Sequence, residues 1–562
     1  MSGAAGRFSG RAGTVALVLI GLGVAAGVWG PALRAHEVAT RSRFADDVCQ
    51  HVAPFLQAAP AGAGEARGYI DRYWRACLPP GFRALYGIGG RWVSPRTISH
   101  ALPFALLAVL AGALAAGGAR FGGVPAAVGC GLLALGSEMF FSRMEGGLPR
   151  AFAFPLVALM ANFAVRGQVR WLAGTVCAAF AFYPAVGVAG LLALGLVLLL
   201  PAQDRGEAAG WSWRKRAVGL ALAGGLCVGL VAPNFAALRP YGAGIAPRDY
   251  AEFPEAASGG RLGGADRSDF RMSPVQCARE FAPDAFVHSH SPWRKALGLP
   301  RLPDSTRVLL WLEVLLAGVA LPGLARDAAG RRLIVLTAAV GAAYGISLVM
   351  TPALFMPERH VAYAVPVLTV LWLAAAASAL PRVGKKRGGW CALGLAALSL
   401  LFLGGTPKPG QATVAVHDGR LYEFLATLPE ESFIAGWPNW MSPVPVLCGR
   451  AVLVSYETHL PYHRAYAEEM RRRMRDLVAA YFADDAAALR ELRERYGVTH
   501  LVVEAGHLQR APVYFNPFGA EIRQAFAAGQ AGGFEVLRQR GGAGVVYDDG
   551  ERFVIDLGRV SD

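Results

Sequence analysis

Long apolar runs broken by short basic clusters set the pattern of this chain. A helix needs about 20 apolar residues to cross the hydrocarbon core of a bilayer. Runs of that order occur at Thr14–Leu33, Ala101–Gly117, Val124–Phe141, Ala151–Val165, Trp171–Tyr183 and Ala185–Leu200. Others follow at Ala217–Ala236, Arg307–Leu324, Leu333–Met350, Val361–Leu380 and Trp390–Gly405. The pattern predicts a polytopic α-helical membrane protein of about eleven spans. The pair divided at Tyr183-Pro184 has short halves. It reads either as two spans joined by a tight turn or as one long helix kinked at the proline. The first run exceeds the roughly 7–15 residues of a signal-peptide core, and no A-x-A site follows it, which favours a retained anchor.

From Asp418 the pattern changes to that of a small α/β domain. Helices are predicted at Leu421–Leu428, Tyr462–Phe482 and Asp485–Tyr496. Strands are predicted at Ser432–Gly436, Ala451–Ser455, Thr499–Val503, Glu535–Gln539, Val545–Asp548 and Arg552–Asp556. Such alternation predicts a compact sheet covered by helices. The chain therefore divides into a transmembrane domain, residues 1–407, and a C-terminal extracytoplasmic α/β domain, residues 408–562. Large outside loops at 34–100 and 239–305 belong to the first.

Composition agrees: 54% of the 562 residues are hydrophobic and only 17% charged. The net charge of +15 raises the question of a polyanionic partner, and its placement answers it. With a cytoplasmic N-terminus, the inward segments carry Arg7, Arg11, Arg120, Arg166, Arg170, Arg205, Arg214, Lys215 and Arg216. Arg326, Arg331, Arg332, Arg382, Lys385, Lys386 and Arg387 complete the set, against only Asp204, Glu207 and Asp327. One membrane face thus holds +13 of the charge, the expected positive-inside bias. No basic tract with interleaved aromatics points to nucleic acid. No G-x-G-x-x-G or P-loop points to a nucleotide, no Cys/His spacing points to zinc, and no haem is expected.

Chemistry is sparse. Asp46 and Asp47, just past the first run, can hold a divalent cation such as Mg²⁺ or Mn²⁺, or one can serve as a general base. Equally, one of them can cap a helix through Val52–Leu56. His51 lies beside them. Glu358-Arg359-His360 opens the tenth run, where Arg359 can meet a lipid phosphate or act as a snorkelling anchor paired with Glu358. Arg150 follows the Gly146-Gly147 turn and faces the same compartment, either as a site residue or as an interfacial arginine. Glu138 and Glu313 are the main acids within spans. Cys49 and Cys77 share the first outside loop, where oxidising conditions permit a disulfide. His459 and His463 are four apart, but Pro461 between them argues against a metal-binding helix.

Together, the acidic pair in a large first outside loop, some ten further helices, the Pro357-Glu358-Arg359-His360 helix entry and the outside C-terminal domain resemble the GT-C superfamily. These are multi-pass glycosyltransferases that use polyprenyl-phosphate-linked sugars. Gly147-Leu148-Pro149-Arg150-Ala151-Phe152-Ala153-Phe154-Pro155 and Ala181-Phe182-Tyr183-Pro184 look like segments of bacterial members with this layout. The resemblance implies that Asp46 or Asp47 acts as base or helps bind metal, and that Arg359, with Arg150 second, contacts the lipid-linked phosphate. It also implies transfer of a sugar to a glycan, lipid or protein acceptor outside a bacterial inner membrane. The chain lacks a second D-x-D and the WWDYG signature of oligosaccharyltransferases. The alternative from another class is a non-catalytic membrane protein, a transporter or an envelope-polymer assembly factor. The scarcity of mid-span charges and the large outside parts fit it less well.

Overall fold

The computed structural model describes residues 44–56, 65–263, 305–350, 357–380, 384–403, 419–538 and 544–560. The first apolar run, Thr14–Leu33, and Cys277 lie outside them, and the side chains of Glu138 and Glu313 are not described. The chain forms a helical bundle and a sheet lobe, each with its own apolar core.

Among the described residues, four helices are long and apolar enough to cross a membrane by length and composition: Pro95–Gly136, Trp213–Tyr241, Ala328–Met350 and Glu358–Ala379. Val169–Phe182 and Pro184–Leu199 are shorter and apolar. A straight helix of 42 residues would reach ~63 Å, about twice the ~30 Å hydrocarbon thickness. Pro95–Gly136 does not run straight. It breaks at Gly122-Gly123, where Gly123 takes φ +68°, and its halves fold back so that Gly118 meets Cys130 and Gly131 meets Ala115. The element is a tight helical hairpin. Tyr183, at φ −152°, divides the next pair, and Gly187 lies against Phe180 and Gly190 against Val176. That geometry is two antiparallel helices with a tight turn rather than one kinked rod.

At one end of the bundle the basic loops gather. Arg331 donates from Nε to Asp204 at 2.7 Å and Arg332 from Nη1 to the Val165 carbonyl at 3.0 Å. Arg120 lies 3.6 Å from Asp327, and Arg166 bonds Asn162 at 2.9 Å. The described loops at residues 120, 166, 204 and 327–332 therefore sit together.

The sheet lobe has five strands, β1 (Phe433–Gly436), β2 (Ala451–Val452), β3 (His500–Glu504), β4 (Val545–Asp548) and β5 (Arg552–Asp556), in the order β2-β1-β3-β5-β4. β1 pairs in parallel with both β2 and β3, and β5 runs antiparallel to β3 and β4. Side chains alternate across the sheet as the pleat requires. Phe433, Ala435, Leu501, Val503, Phe553 and Ile555 enter one core, and Ile434, Val452, Val502 and Val554 the other. The β1–β2 connection covers the second face with Met441 and Val444. The β2–β3 connection, through helices Arg464–Tyr481 and Ala486–Tyr496, covers the first.

One expected element needs correction. The strand predicted at Glu535–Gln539 is a short helix, Glu535–Arg538; buried Phe534 and Leu537 are spaced i, i+3, a helical interval that the apparent alternation concealed. The helix Phe518–Gly532 was not foreseen, although Phe518, Ile522 and Gly529 mark one buried face. The sheet lobe is also not built from the tail alone. Ile70, Tyr73, Trp74 and Tyr241 belong to its core. Tyr73 stacks on Tyr466 at 3.6 Å, and the Trp74 indole donates to the Tyr466 hydroxyl at 3.2 Å.

Candidate functional site

The segment at Asp46 and Asp47 leads into a short helix, Val48–His51, followed by Ala53–Leu56. Asp47 occupies the N-cap position, but neither carboxylate caps the helix. The Asp46 Oδ1 accepts from the Asp47 N–H at 2.8 Å, and the Asp47 carboxylate forms an ion pair with Arg150. The carboxylates are thus directed away from the helix they precede.

Arg150 reaches Asp47 because the Gly146-Gly147 turn lets two backbones approach. Both glycines have positive φ, +76° and +58°. A Cβ at Gly146 would lie 2.9 Å from the Val48 side chain and 3.2 Å from that of Ala45, and one at Gly147 would lie 2.8 Å from the Tyr86 hydroxyl. Only residues without side chains fit that crossing. Tyr86 fixes it by donating to the Gly147 carbonyl at 2.9 Å.

From the sheet lobe comes Glu457, in the loop leaving β2 at the carboxyl end of the parallel strands, where α/β sheets place their binding groups. Its Oε2 accepts from Gln50 Nε2 at 2.9 Å and from Arg261 Nη2 at 3.1 Å. Ligand oxygens of Asp46, Asp47 and Glu457 all lie within 4.8 Å of one another. Among the described residues they are the one group of His, Cys, Asp or Glu side chains with such spacing. Oxygens around a bound Mg²⁺ stand ~2.1 Å from the ion, hence at most ~4.2 Å apart. A small side-chain adjustment would let the trio hold one.

Burial raises the affinity of Asp46 for a proton, against the opposing charges of Arg150 and Arg261. Glu457 is raised by burial as well, with Arg261 pulling it down and the Asp46 charge pushing it further up. Burial drives His51 down to about 4, against the pull of Asp46, so its imidazole is neutral at pH 7. Its Nδ1 lies 3.0 Å from the Asp47 carbonyl, which makes Nδ1 the protonated nitrogen.

Arg359 makes its own set of contacts. Its Nη1 donates to the Tyr363 hydroxyl at 3.0 Å, and its Nε pairs with Glu358 at 3.1 Å. The Tyr363 ring meets Tyr183 at 5.4 Å and Phe154 at 5.2 Å, and Arg150 acts electrostatically on both tyrosines. His360 is buried.

The structure therefore gathers Asp46, Asp47, His51 and Arg150, while Arg359 is engaged by Glu358 and Tyr363. It adds Glu457, Gln50 and Arg261. In the sequence Glu457 lies close to two histidines, and these turn elsewhere: His459 to Tyr514 at 3.2 Å and His463 to Tyr73 at 2.9 Å. Its position directly after a predicted strand was the signal available. The disulfide expectation is corrected. Cys49 and Cys77 are free thiols, the first buried in the bundle core and the second packed against the sheet-lobe core, so the two cores separate them.

No protein-family model matches the chain, and no curated protein matches it. Solved structures of an Archaeoglobus fulgidus oligosaccharyltransferase are similar to it in layout. The apo form is 10% identical with a TM-score of 0.40, covering 77% of this chain and 62% of that one. The enzyme in complex with an inhibitory peptide and a dolichol-phosphate is 9% identical, TM-score 0.38, covering 88% and 68%. The form tethered to an acceptor peptide containing the NVT sequon is 12% identical, TM-score 0.40, covering 91% and 70%. This chain thus spans 62% of the length of the apo structure. A likeness this distant carries no assignment of residues or activity.

Proposed function

We propose that the chain is an integral membrane glycosyltransferase of the GT-C type, moving a sugar from a polyprenyl-phosphate donor to an acceptor on the extracytoplasmic face. The observation that carries this reading is the meeting of three carboxylates from two lobes with Arg150. On this reading the chain crosses a bacterial inner membrane about eleven times from a cytoplasmic N-terminus. Residues 1–407 form the membrane domain, and residues 408–562 the domain outside.

The acceptor hydroxyl gives its proton to Asp46 as its oxygen bonds to the anomeric carbon of the sugar. The bond from that carbon to the phosphate oxygen breaks, and its electron pair leaves with the polyprenyl phosphate. Asp46 suits the base role because burial strengthens its hold on a proton, whereas Asp47 is engaged by Arg150. Neutral His51 orients the Asp47 peptide. Arg359, steadied by Glu358 and Tyr363, receives the leaving phosphate, with Arg150 as the second cation and His360 packed beside the helix entry. A divalent cation held by Asp46, Asp47 and Glu457 would add charge stabilisation for that phosphate.

The test is transfer of a radiolabelled sugar from polyprenyl phosphate in membranes containing the protein. Asp46→Asn, Asp47→Asn and Arg359→Ala are each expected to lower transfer at least about a hundredfold. Wild-type rates in all three would end the assignment.

A further inference from the structure

Arg261 arrives at the site on a strap, residues 241–262, clamped along the helix Arg464–Tyr481. The Ile245 N–H donates to the Tyr462 carbonyl and the Arg464 N–H to the Ala243 carbonyl, each at 3.0 Å. Arg464 pairs with Asp249 at 2.7 Å and Glu252 at 2.8 Å, and Arg471 pairs with buried Glu255 at 2.6 Å. Next to Arg261, the Gly259 carbonyl accepts from the Asn516 N–H at 3.0 Å.

Delivered on this track, the Arg261 guanidinium lies over the Tyr456 ring, 3.9 Å from its centre, and its Nε donates to the Tyr456 carbonyl at 3.2 Å. Its Nη2 then meets Glu457 Oε2, with both side chains largely shielded from solvent, 16% and 13% exposed. A metal ion in the trio needs that same carboxylate. A guanidinium and a divalent cation cannot both take full advantage of it, because like charges at such range repel strongly in a shielded site.

We propose that Arg261 is an internal counter-ion of Glu457 that competes with a divalent cation for its carboxylate. The strap thereby couples residues 241–262 to the occupancy of the site. The inference deepens the transferase reading, and its test does not depend on sugar transfer.

The test is Mn²⁺ titration of the full-length protein in lipid nanodiscs, with bound ion read by electron paramagnetic resonance. Arg261→Gln should tighten Mn²⁺ binding on the order of tenfold, since one opposing charge is lost beside the ligand oxygens. Arg261→Lys keeps the charge and should stay within about threefold of wild type. Arg261→Gln combined with Glu457→Gln should lose the gain. A merely structural arginine would behave oppositely, because its loss would let Glu457 drift and weaken the site. Unchanged or weaker Mn²⁺ binding in Arg261→Gln overturns the proposal, as does a gain that survives Glu457→Gln. Should Arg261→Gln not fold, Tyr456→Leu loosens the same guanidinium and should tighten binding by a smaller factor, and failure to do so is equally decisive. Tighter Mn²⁺ binding without sugar transfer in wild type would keep this inference and remove the transferase reading. Normal transfer with an unshifted titration would do the reverse.

Discussion

At the basic end of the bundle, Asp204 is 1% exposed and gripped by Arg331, while Arg332 donates to its backbone and to the Val165 carbonyl. At the junction with the sheet lobe, Asp46, Asp47 and Glu457 share two arginines, Arg150 and Arg261. Both places contain shielded ion pairs, but their balance differs. Around Asp204 the guanidiniums outnumber the carboxylate and spend their remaining donors on backbone carbonyls, which knits loops together. At the junction carboxylates outnumber guanidiniums, and two of the acids are held above their ordinary proton affinity. An ion network with every group matched builds structure; one left short of positive charge is prepared for a cation, a proton or a phosphate-bearing ligand.

Substitutions should separate the two. Asp46→Asn is expected to lower sugar transfer by roughly 10²–10⁴-fold while leaving the melting temperature close to wild type, measured on the same purified sample. Asp204→Ala should do the opposite. Removing the carboxylate that Arg331 grips should cost roughly 1–3 kcal/mol of stability, read by thermal or denaturant unfolding, with transfer per folded molecule unchanged. If Asp204→Ala abolished transfer without destabilising, the distinction between the ends would collapse.

Acid should expose a third difference, within the sheet lobe. Burial pushes His459 down to about 3, against 6.5 for a free imidazole. Between those values the unfolded chain binds a proton that the folded chain excludes. Stability is therefore complete above pH 6.5 and falls as pH drops toward 3, by about 1.4 kcal/mol per unit at most. His459→Phe, which suits the neighbouring Phe515 and Phe518 rings, should flatten that slope in melting curves taken across pH 3–7. Smallest of all should be the response to a reductant. With Cys49 and Cys77 apart, dithiothreitol should leave the melting temperature unmoved. A drop of several degrees would indicate the roughly 2–4 kcal/mol of a disulfide.

Much of this was legible in the sequence, for identifiable reasons. Bundle helices announce themselves because lipid admits few polar residues, so the runs at Leu333–Met350 and Val361–Leu380 reappear as helices with similar bounds. Adjacent acids such as Asp46 and Asp47 are visible as a pair wherever they occur. Glu457 could not be joined to them, since Gln50 and Glu457 are 407 positions apart and only the fold brings them together. Arg261 sits in a loop with no periodicity, and its role depends on a carboxylate from another lobe. The helix at Glu535–Arg538 failed for a local reason: four residues are too few for a period of 2 to be told from one of 3.6.

The stack of Tyr73 on Tyr466 has a consequence for how the protein is made. Trp74 leaves the ribosome 392 positions ahead of the tyrosine it bonds. At about 5–20 residues per second, synthesis leaves that aromatic face without its mate for roughly 20–80 s. During that wait the early loop lacks the partner that buries its rings in the folded protein.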